Sequence, residues 1–334
     1  MVRTGLGGII ERMNYYFILT NSCNYHCNFC IRSNVSATLS GNMDYSNFRE
    51  VAELLYNANP DAMITLTGGE PTIYPDFKDV VDFSSHLFKK VCVTTNGSFD
   101  QDTAMFLEKY MRDNLYVQIS LDGTKDFHNK LRGEHAFERA VASIRLFSNV
   151  WTHLALSTTV KRCEMDNIKE LATYLNCLKF HHRKISQEQV SHPTKETIIP
   201  TKEWNHLVEN LLPLCQYRVT IKKMFAFDIW EKYTEDNHDI SIARNLSLGN
   251  NKVYITPNFD VLPCTCMNYS CGNLLVDSVD VIRTRLNKLQ IIEPDESSIC
   301  YNCDYKRICN GGCPGYSRKV FGKYNMGDIR CPLF

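Results

Sequence analysis

The sequence predicts an α/β fold: a parallel sheet built from six βα units, followed by a smaller cysteine-rich module. Three observations carry that expectation. Strand-like and helix-like stretches alternate over the first 190 or so residues, glycine-bearing turns close several strands, and beyond residue 250 the composition turns abruptly to cysteine. Six units are too few to close an eight-stranded barrel, so the pattern admits a partial barrel or an open curved sheet, with right-handed crossovers in either case.

In chain order, the strand candidates are residues 15–19, 63–67, 90–94, 115–121, 152–160 and 184–190, each rich in β-branched, aromatic or aliphatic residues. Between the first two, Asp44 has the character of an N-cap, and Phe48, Val51, Ala52 and Leu55 recur at three- and four-residue spacing to make one apolar stripe. Further helical patterns cover 77–88, 104–111, 137–147 and 166–177, and another runs from Trp204 to Cys215. The chain divides into residues 1–190, a linking segment 191–250 and a C-terminal module 251–334.

Composition bounds the class. The 334 residues carry 37 basic and 37 acidic side chains, so the net charge is zero, and 44% are hydrophobic, enough for two cores. A balanced charge with short basic clusters argues against nucleic acid as a partner. No apolar N-terminal region and no run near the length of a membrane span is present, which points to a cytoplasmic protein without a membrane partner. Fifteen cysteines there mean metal sites before disulfides.

The most informative cysteines read Cys23-Asn-Tyr-His-Cys27-Asn-Phe-Cys30, on a loop directly after the first strand. Three thiolates leave a metal one ligand short, which suits a site where a substrate or cosubstrate binds the metal. A structural zinc knuckle borrowing a distant ligand and chance spacing are the plain alternatives. About 40 residues on, Gly68-Gly69-Glu70-Pro71 closes the second strand: the glycines allow close main-chain approach, and Glu70 offers a carboxylate suited to an ammonium group.

Together these motifs resemble those of the radical S-adenosylmethionine (SAM) superfamily, with Phe29 as the aromatic before the third cysteine. The resemblance selects the partial (β/α)6 barrel. It implies that Cys23, Cys27 and Cys30 hold a 4Fe-4S cluster whose fourth iron takes the methionyl amine and carboxylate of SAM, and that Gly68, Gly69 and Glu70 contact the amine. It implies reductive cleavage of SAM to a 5′-deoxyadenosyl radical that abstracts hydrogen from a substrate, with reduced flavodoxin or ferredoxin as electron donor. Asn96, in Thr94-Thr95-Asn96-Gly97, and Ser120, in Ser120-Leu121-Asp122-Gly123, then line the SAM pocket. Ser120 and Arg132 are candidates to bond the ribose or the methionyl carboxylate. Ordinary Asn-Gly and Asp-Gly turns are the competing reading.

Cys264, Cys266, Cys271, Cys300, Cys303, Cys309, Cys313 and Cys331 fall within about 70 residues, around the core Cys300-x2-Cys303-x5-Cys309-x3-Cys313. Eight thiolates fit two four-iron clusters or two tetrahedral zinc ions. The segment resembles the SPASM module of radical enzymes that mature peptides and proteins. That resemblance implies an outer auxiliary cluster on Cys300, Cys303, Cys309 and Cys331, with Cys313 joining the upstream cysteines on an inner one, for three 4Fe-4S clusters in all. One departure is visible: the cysteine expected five residues after Gly272 is Asp277. Either Asp277 ligates or Cys266 supplies the thiolate. By count, Cys264, Cys266, Cys271 and Cys313 form the inner set.

Cys92, Cys163, Cys177 and Cys215 remain. Cys92, Cys177 and Cys215 read as core residues, and Cys215 is also the candidate hydrogen-atom donor to a substrate radical. Asp228 and Glu231 are candidate bases, against a solvated helix face. The expected function is radical modification of a peptide or protein side chain or backbone by oxidation, crosslinking or epimerisation. The chain leaves no room for an N-terminal peptide-recognition domain, so a separate leader-peptide recognition protein is an expected partner. A radical enzyme acting on a small molecule, and a noncatalytic iron-sulfur carrier or zinc scaffold, are the alternatives.

Overall fold

The computed structural model describes residues 14–31, 41–162, 165–190, 192–227, 252–267, 269–289 and 292–334. Cys163, Asp228 and Glu231 lie outside the described residues.

Among the described residues, nine strands form one sheet: β1 (Asn14–Ile18), β2 (Met63–Thr67), β3 (Lys90–Thr95), β4 (Leu115–Ser120), β5 (Leu154–Val160), β6 (His182–Gln187), β7 (Arg218–Thr220), β8 (Lys252–Ile255) and β9 (Val261–Leu262). Their order is β7-β6-β5-β4-β3-β2-β1-β8-β9, and every pairing is parallel except β8 with β9. Helices α1 (Tyr45–Ala58), α2 (Phe77–Leu87), α3 (Gln101–Met111), α4 (Lys125–Arg132), α5 (Ala136–Leu146), α6 (Met165–Leu175) and α7 (Thr201–Leu211) connect the first seven strands. The C-terminal module adds α8 (Val279–Lys288), α9 (Lys306–Cys309) and α10 (Pro314–Phe321).

All six expected strands are present, but six undercounts the parallel sheet, which gains β7 and β8. Both escape sequence reading for the same reason. β7 is three residues with no buried one, and β8 is a four-residue piece at the head of the cysteine-rich region, without a following βα pattern. The fifth strand starts at Leu154 because 151–153 form a 3-10 turn. Helix α4 carries no apolar stripe in the sequence, since four of its eight residues are charged and it buries only His128 and Leu131. Asp44 does cap α1, accepting from the Asn47 amide at 2.9 Å.

The alternation of burial along the strands divides the sheet into two faces. On β4, Leu115, Val117 and Ile119 are fully buried against the helices, whereas Tyr116, Gln118 and Ser120 keep accessible surface. β5 repeats this with Leu154, Leu156 and Thr158 alternating with Ala155, Ser157 and Thr159. The helix-side core takes α1 to α3 and α5, and a second cluster under α6 and α7 gathers Ile168, Ile185, Trp204, Leu207 and Leu211.

The other face is polar and curls on itself. Lys161, just beyond β5, reaches back to the loop after β1: its amino group donates to Asn28 Oδ1 at 3.4 Å and lies 5.8 Å from the centre of the Phe29 ring, although four strand spacings, roughly 19 Å flat at about 4.8 Å per strand, separate β5 from β1. The sheet is a curled partial barrel, as expected.

Candidate active site and cluster cradles

The chain leaves β1 at Ile18 and, five residues later, reaches Cys23. That short passage is bonded to the loop that follows β2. The Gly69 amide donates to the Thr20 carbonyl at 2.7 Å, and the Glu70 amide donates to the Ser22 carbonyl at 2.9 Å. The fit requires glycine. A Cβ at Gly68 would stand 2.5 Å from the Thr20 oxygen, and one at Gly69 would stand 2.1 Å from the Ser22 oxygen. The glycines thus bring two main chains together at the carboxyl ends of β1 and β2.

Glu70 is almost fully buried, and burial pushes its carboxyl above the ordinary value. Four donors oppose that cost. Oε1 accepts from the Thr72 amide at 3.2 Å, the Thr72 hydroxyl at 2.7 Å and the Thr95 hydroxyl at 2.7 Å; Oε2 accepts from the Asn96 amide at 2.7 Å. A carboxylate has about four lone-pair positions, so Oε2 keeps one for a further donor. Sequence reading gave Glu70 an ammonium to face. The structure adds a bracket role, tying the end of β3 to the glycine loop.

Asn96 extends the bracket to the cysteine loop. Its amide nitrogen donates to Asn24 Oδ1 at 2.9 Å, and Asn24 in turn donates to the Ser98 hydroxyl at 2.7 Å. Cys23, Cys27 and Cys30 are half-buried and lie within electrostatic reach of one another. Burial pushes Cys27 up to about 11 against the pull of Arg132. Ser120, half-buried, ends β4 on the polar face.

Arg132 sits beside these thiols. Its Nε donates to the buried Asp122 at 2.5 Å, and its guanidinium lies 5.4 Å from the centre of the Phe29 ring, inside the cysteine loop. Asp122 Oδ1 accepts from the Thr159 amide at 2.8 Å, and the Asp122 amide donates to His128 Nδ1 at 3.0 Å. Asp122, His128 and Asn24 were not singled out from sequence. The legible signal was His128 and Arg132 at helical i, i+4 spacing just after an Asp-Gly turn.

In the C-terminal module, Cys300, Cys303, Cys309 and Cys331 line one small cavity of about 20 Å³, with Phe225, Phe227 and Asp328. A Cβ on Gly327 would stand 2.6 Å from the Cys300 sulfur. Cys264, Cys266 and Cys313 form a second group. Cys264 is held low, at about 7, by the hydrogen bond from Cys266, whose own thiol is driven up; Cys313 lies within charge reach of Cys266, and Cys264 within reach of Cys313. Cys271 is placed differently, fully buried in the main core, with Arg285 as the charge that reaches it. Asp277 accepts from the Asn273 amide at 2.9 Å and pairs with Arg285 at 3.3 Å.

Three remaining cysteines bear on earlier expectations. Cys215 packs in the helix-side cluster with Trp204 and Leu207 and lies against the Leu211 carbonyl at 3.4 Å. Ile185 of that cluster points opposite to Lys184, so the hydrogen-donor role for Cys215 finds no support in its position. Cys177 is exposed, not core, because α6 ends at Leu175. Cys92 faces the polar interior of the barrel, not the helix-side core.

The donor sets suit iron-sulfur clusters. Thiols lie in groups of three and four beside close-approaching glycines, and among the described residues no three Cys, His, Asp or Glu side chains converge to hold a single ion. A four-iron cluster places its thiolates on separate irons. Among the described residues, no helix is long and apolar enough to cross a membrane.

A parallel partial barrel carrying a three-thiol loop clamped to a glycine loop at its strand ends defines an α/β iron-sulfur protein. The profile of the Radical SAM superfamily matches residues 17–174, and the chain belongs to that superfamily. The antilisterial bacteriocin subtilosin biosynthesis protein AlbA of Bacillus subtilis is 26% identical over 319 residues, covering 89% of this chain and 66% of AlbA. The sporulation killing factor maturation protein SkfB of the same organism is 31% identical over 157 residues, covering 46% of this chain and 37% of SkfB. The chain thus spans less than two thirds of the length of these two relatives. The crystal structure of Streptococcus suis SuiB matches with a TM-score of 0.77 at 18% identity, covering 96% of this chain and 77% of SuiB, and SuiB has also been solved with S-adenosylmethionine and with precursor peptide SuiA. That likeness concerns the fold.

Two outcomes test the site. Gly69→Ala forces the two main chains apart and is expected to cost about 3 kcal/mol in urea unfolding, whereas an unchanged midpoint would show that the clamp is slack. His128, fully buried, is pushed down to about 4, chiefly by desolvation, from an ordinary 6.5. The unfolded chain therefore binds the proton first, and stability falls as pH drops from about 6.5 through 4. His128→Asn should flatten the wild-type decline by roughly 1–2 kcal/mol between pH 7 and 5; parallel curves would contradict the assignment.

Proposed function

We propose that this chain is a radical SAM enzyme that modifies a peptide or protein substrate by hydrogen abstraction, ending in oxidation, crosslinking or epimerisation. The observation that carries it is the convergence of Cys23, Cys27 and Cys30 with the Gly68–Glu70 loop, through two main-chain hydrogen bonds. Bound there, a 4Fe-4S cluster and SAM supply the radical chemistry.

The chain's own residues bind and orient. Cys23, Cys27 and Cys30 would hold the cluster, and Glu70 Oε2 has a lone pair free for the SAM ammonium. Nε of Arg132 is occupied by Asp122, which leaves the fork of the guanidinium to bond the methionyl carboxylate. Ser120 and Asn96 stand at the neighbouring strand ends. Phe29 stacked under Arg132 fixes the spacing between the thiols and that cation.

Residues 251–334 we assign to two auxiliary 4Fe-4S clusters. The outer one uses Cys300, Cys303, Cys309 and Cys331, whose shared cavity supports the grouping. The inner one uses Cys264, Cys266 and Cys313, and Cys271 joins it only by moving out of the core. Held by these cysteines, clusters would supply an acceptor for the electron left after abstraction, which would favour net oxidation. Reduced flavodoxin or ferredoxin is the proposed donor, a cytoplasmic setting the proposed location, and a separate leader-recognition protein a proposed partner. The peptide class is supported by the similarity to AlbA and SkfB and by the fold shared with SuiB.

The test is 5′-deoxyadenosine by mass spectrometry after dithionite reduction in the presence of SAM. Wild-type protein should release it and Cys27→Ala should fall to background. Fully clustered wild-type protein that releases none would sink the catalytic reading.

A further inference from the structure

Away from the cysteines, the amino ends of β5, β6 and β7 surround a cavity of about 430 Å³ that none of these roles uses. The seven residues of β5 and the six of β6 separate it from the strand ends that carry the cysteine loop, roughly 20 Å at about 3.3 Å per residue. Its walls come from three turns: Trp151 before β5, Lys179, Phe180 and His181 between α6 and β6, and Gln216 and Tyr217 before β7. Asn176, just past α6, ties two of these turns together. Its Nδ2 donates to the Leu214 carbonyl at 3.0 Å, and its Oδ1 accepts from the Gln216 amide at 2.9 Å. The Phe180 and Tyr217 rings pack at 4.7 Å into an aromatic wall. Trp151 is 42% exposed and Leu214, beside the cavity, 38%, so apolar surface continues outward past the rim.

The charge around the cavity is one-sided. Lys179, His181 and Arg218 line it, no Asp or Glu does, and among the described residues none of the three makes an ion pair. A further cation stands behind the aromatic wall. Arg183 is fully buried; its Nε donates to the Thr158 hydroxyl at 2.9 Å and its Nη1 to the Tyr217 hydroxyl at 3.0 Å, while its Nη2 has no hydrogen-bond partner among the described residues. Among those residues no carboxylate pairs with it either, and an uncompensated buried charge is costly. An anion seated against Tyr217 would face that charge across one hydrogen bond and offset the cost.

We infer that this cavity is the docking site of an acidic peptide segment with a bulky apolar anchor, the anchor packing on the rings of Trp151, Phe180 and Tyr217 and the flanking carboxylates facing Lys179 and Arg218. Two features select a peptide segment over a small molecule. Lys179, His181, Gln216 and Arg218 are all exposed, which leaves a wide mouth, whereas a small-molecule site buries most of its ligand. The apolar rim also runs on to Leu214, beyond the cavity itself. Trp, Tyr and Arg, all present here, are the side chains that dominate protein interfaces. Nucleic acid is the poorer fit, because the chain carries no net charge to draw a phosphate backbone. Neither cluster nor cosubstrate enters this assignment, so it stands apart from the radical chemistry.

The test is fluorescence anisotropy of fluorescein-labelled hexapeptides with cluster-loaded protein. Asp-Glu-Leu-Phe-Glu-Asp should bind saturably below about 1 mM. The uncharged Asn-Gln-Leu-Phe-Gln-Asn and the anchorless Asp-Glu-Ser-Ser-Glu-Asp should each bind about tenfold more weakly or worse. Lys179→Glu and Arg218→Glu, at exposed positions, should each weaken the first peptide about tenfold while the unfolding midpoint and 5′-deoxyadenosine release stay at their wild-type values, and Trp151→Ala should weaken it by a similar factor. No saturable binding, equal binding of either control peptide, or full affinity in the two charge reversals overturns the site. Free N-acetylglutamate that displaces the peptide at equal concentration would make the occupant a small molecule, labelled hexathymidylate that binds as tightly would make it nucleic acid, and a sedimenting dimer that Arg218→Glu dissociates would make it a second copy of this chain; each of these overturns the peptide assignment.

Discussion

Everything at the strand ends depends on the contact between residues 20–22 and 68–70. Two peptide hydrogen bonds join them, each worth about 1 kcal/mol net, but the steric condition matters more than that sum. The Ser22 carbonyl occupies the place where any side chain of residue 69 would begin. The three-thiol loop starts at the next residue, so the position of its first sulfur is set by the parallel register of β1 and β2. A flexible loop of similar composition would have to find that position anew in each molecule.

From the clamp the order spreads by charge and hydrogen bond. Glu70 is buried at a desolvation cost that four donors from the ends of β2 and β3 offset. Asn96, positioned by that carboxylate, holds Asn24 within the cysteine loop. On the other side, Asp122 fixes Arg132, and Arg132 lies over Phe29. The loop is thus held from β2, β3 and β4 at once, by groups that themselves have few alternative positions. In the C-terminal module, a buried Asp328 plays a comparable part. It accepts from the Cys313 amide at 3.0 Å and from Arg330 at 2.6 Å, and Arg330 stacks on Tyr316 at 3.9 Å.

The sequence made much of this legible. Strands with a clear apolar alternation, such as 115–120, and helices with an unbroken stripe, such as 45–58, came through because burial alone dictates them. The cysteine and glycine motifs came through because chemistry and close approach each require one residue type. What stayed hidden depends on partners far away in the chain. β7 and β8 exist because the sheet edges accept them, and their few residues carry no periodicity. Asp122 read as a turn residue until Arg132, Thr159 and His128 were seen around it. Cys271 is the converse case, a thiol counted with its neighbours in sequence that the fold packs in an apolar core.

The central claim is that one three-thiol site at the strand ends and the C-terminal cysteines all serve iron. Iron and acid-labile sulfide, with Mössbauer spectra, of anaerobically purified protein test it most directly when wild type is set beside the combined Cys23→Ala, Cys27→Ala and Cys30→Ala variant. The account predicts about twelve irons in the wild type and about eight in the variant, all in four-iron clusters. Zinc with little iron, or an iron content that the three substitutions leave unchanged, would contradict it.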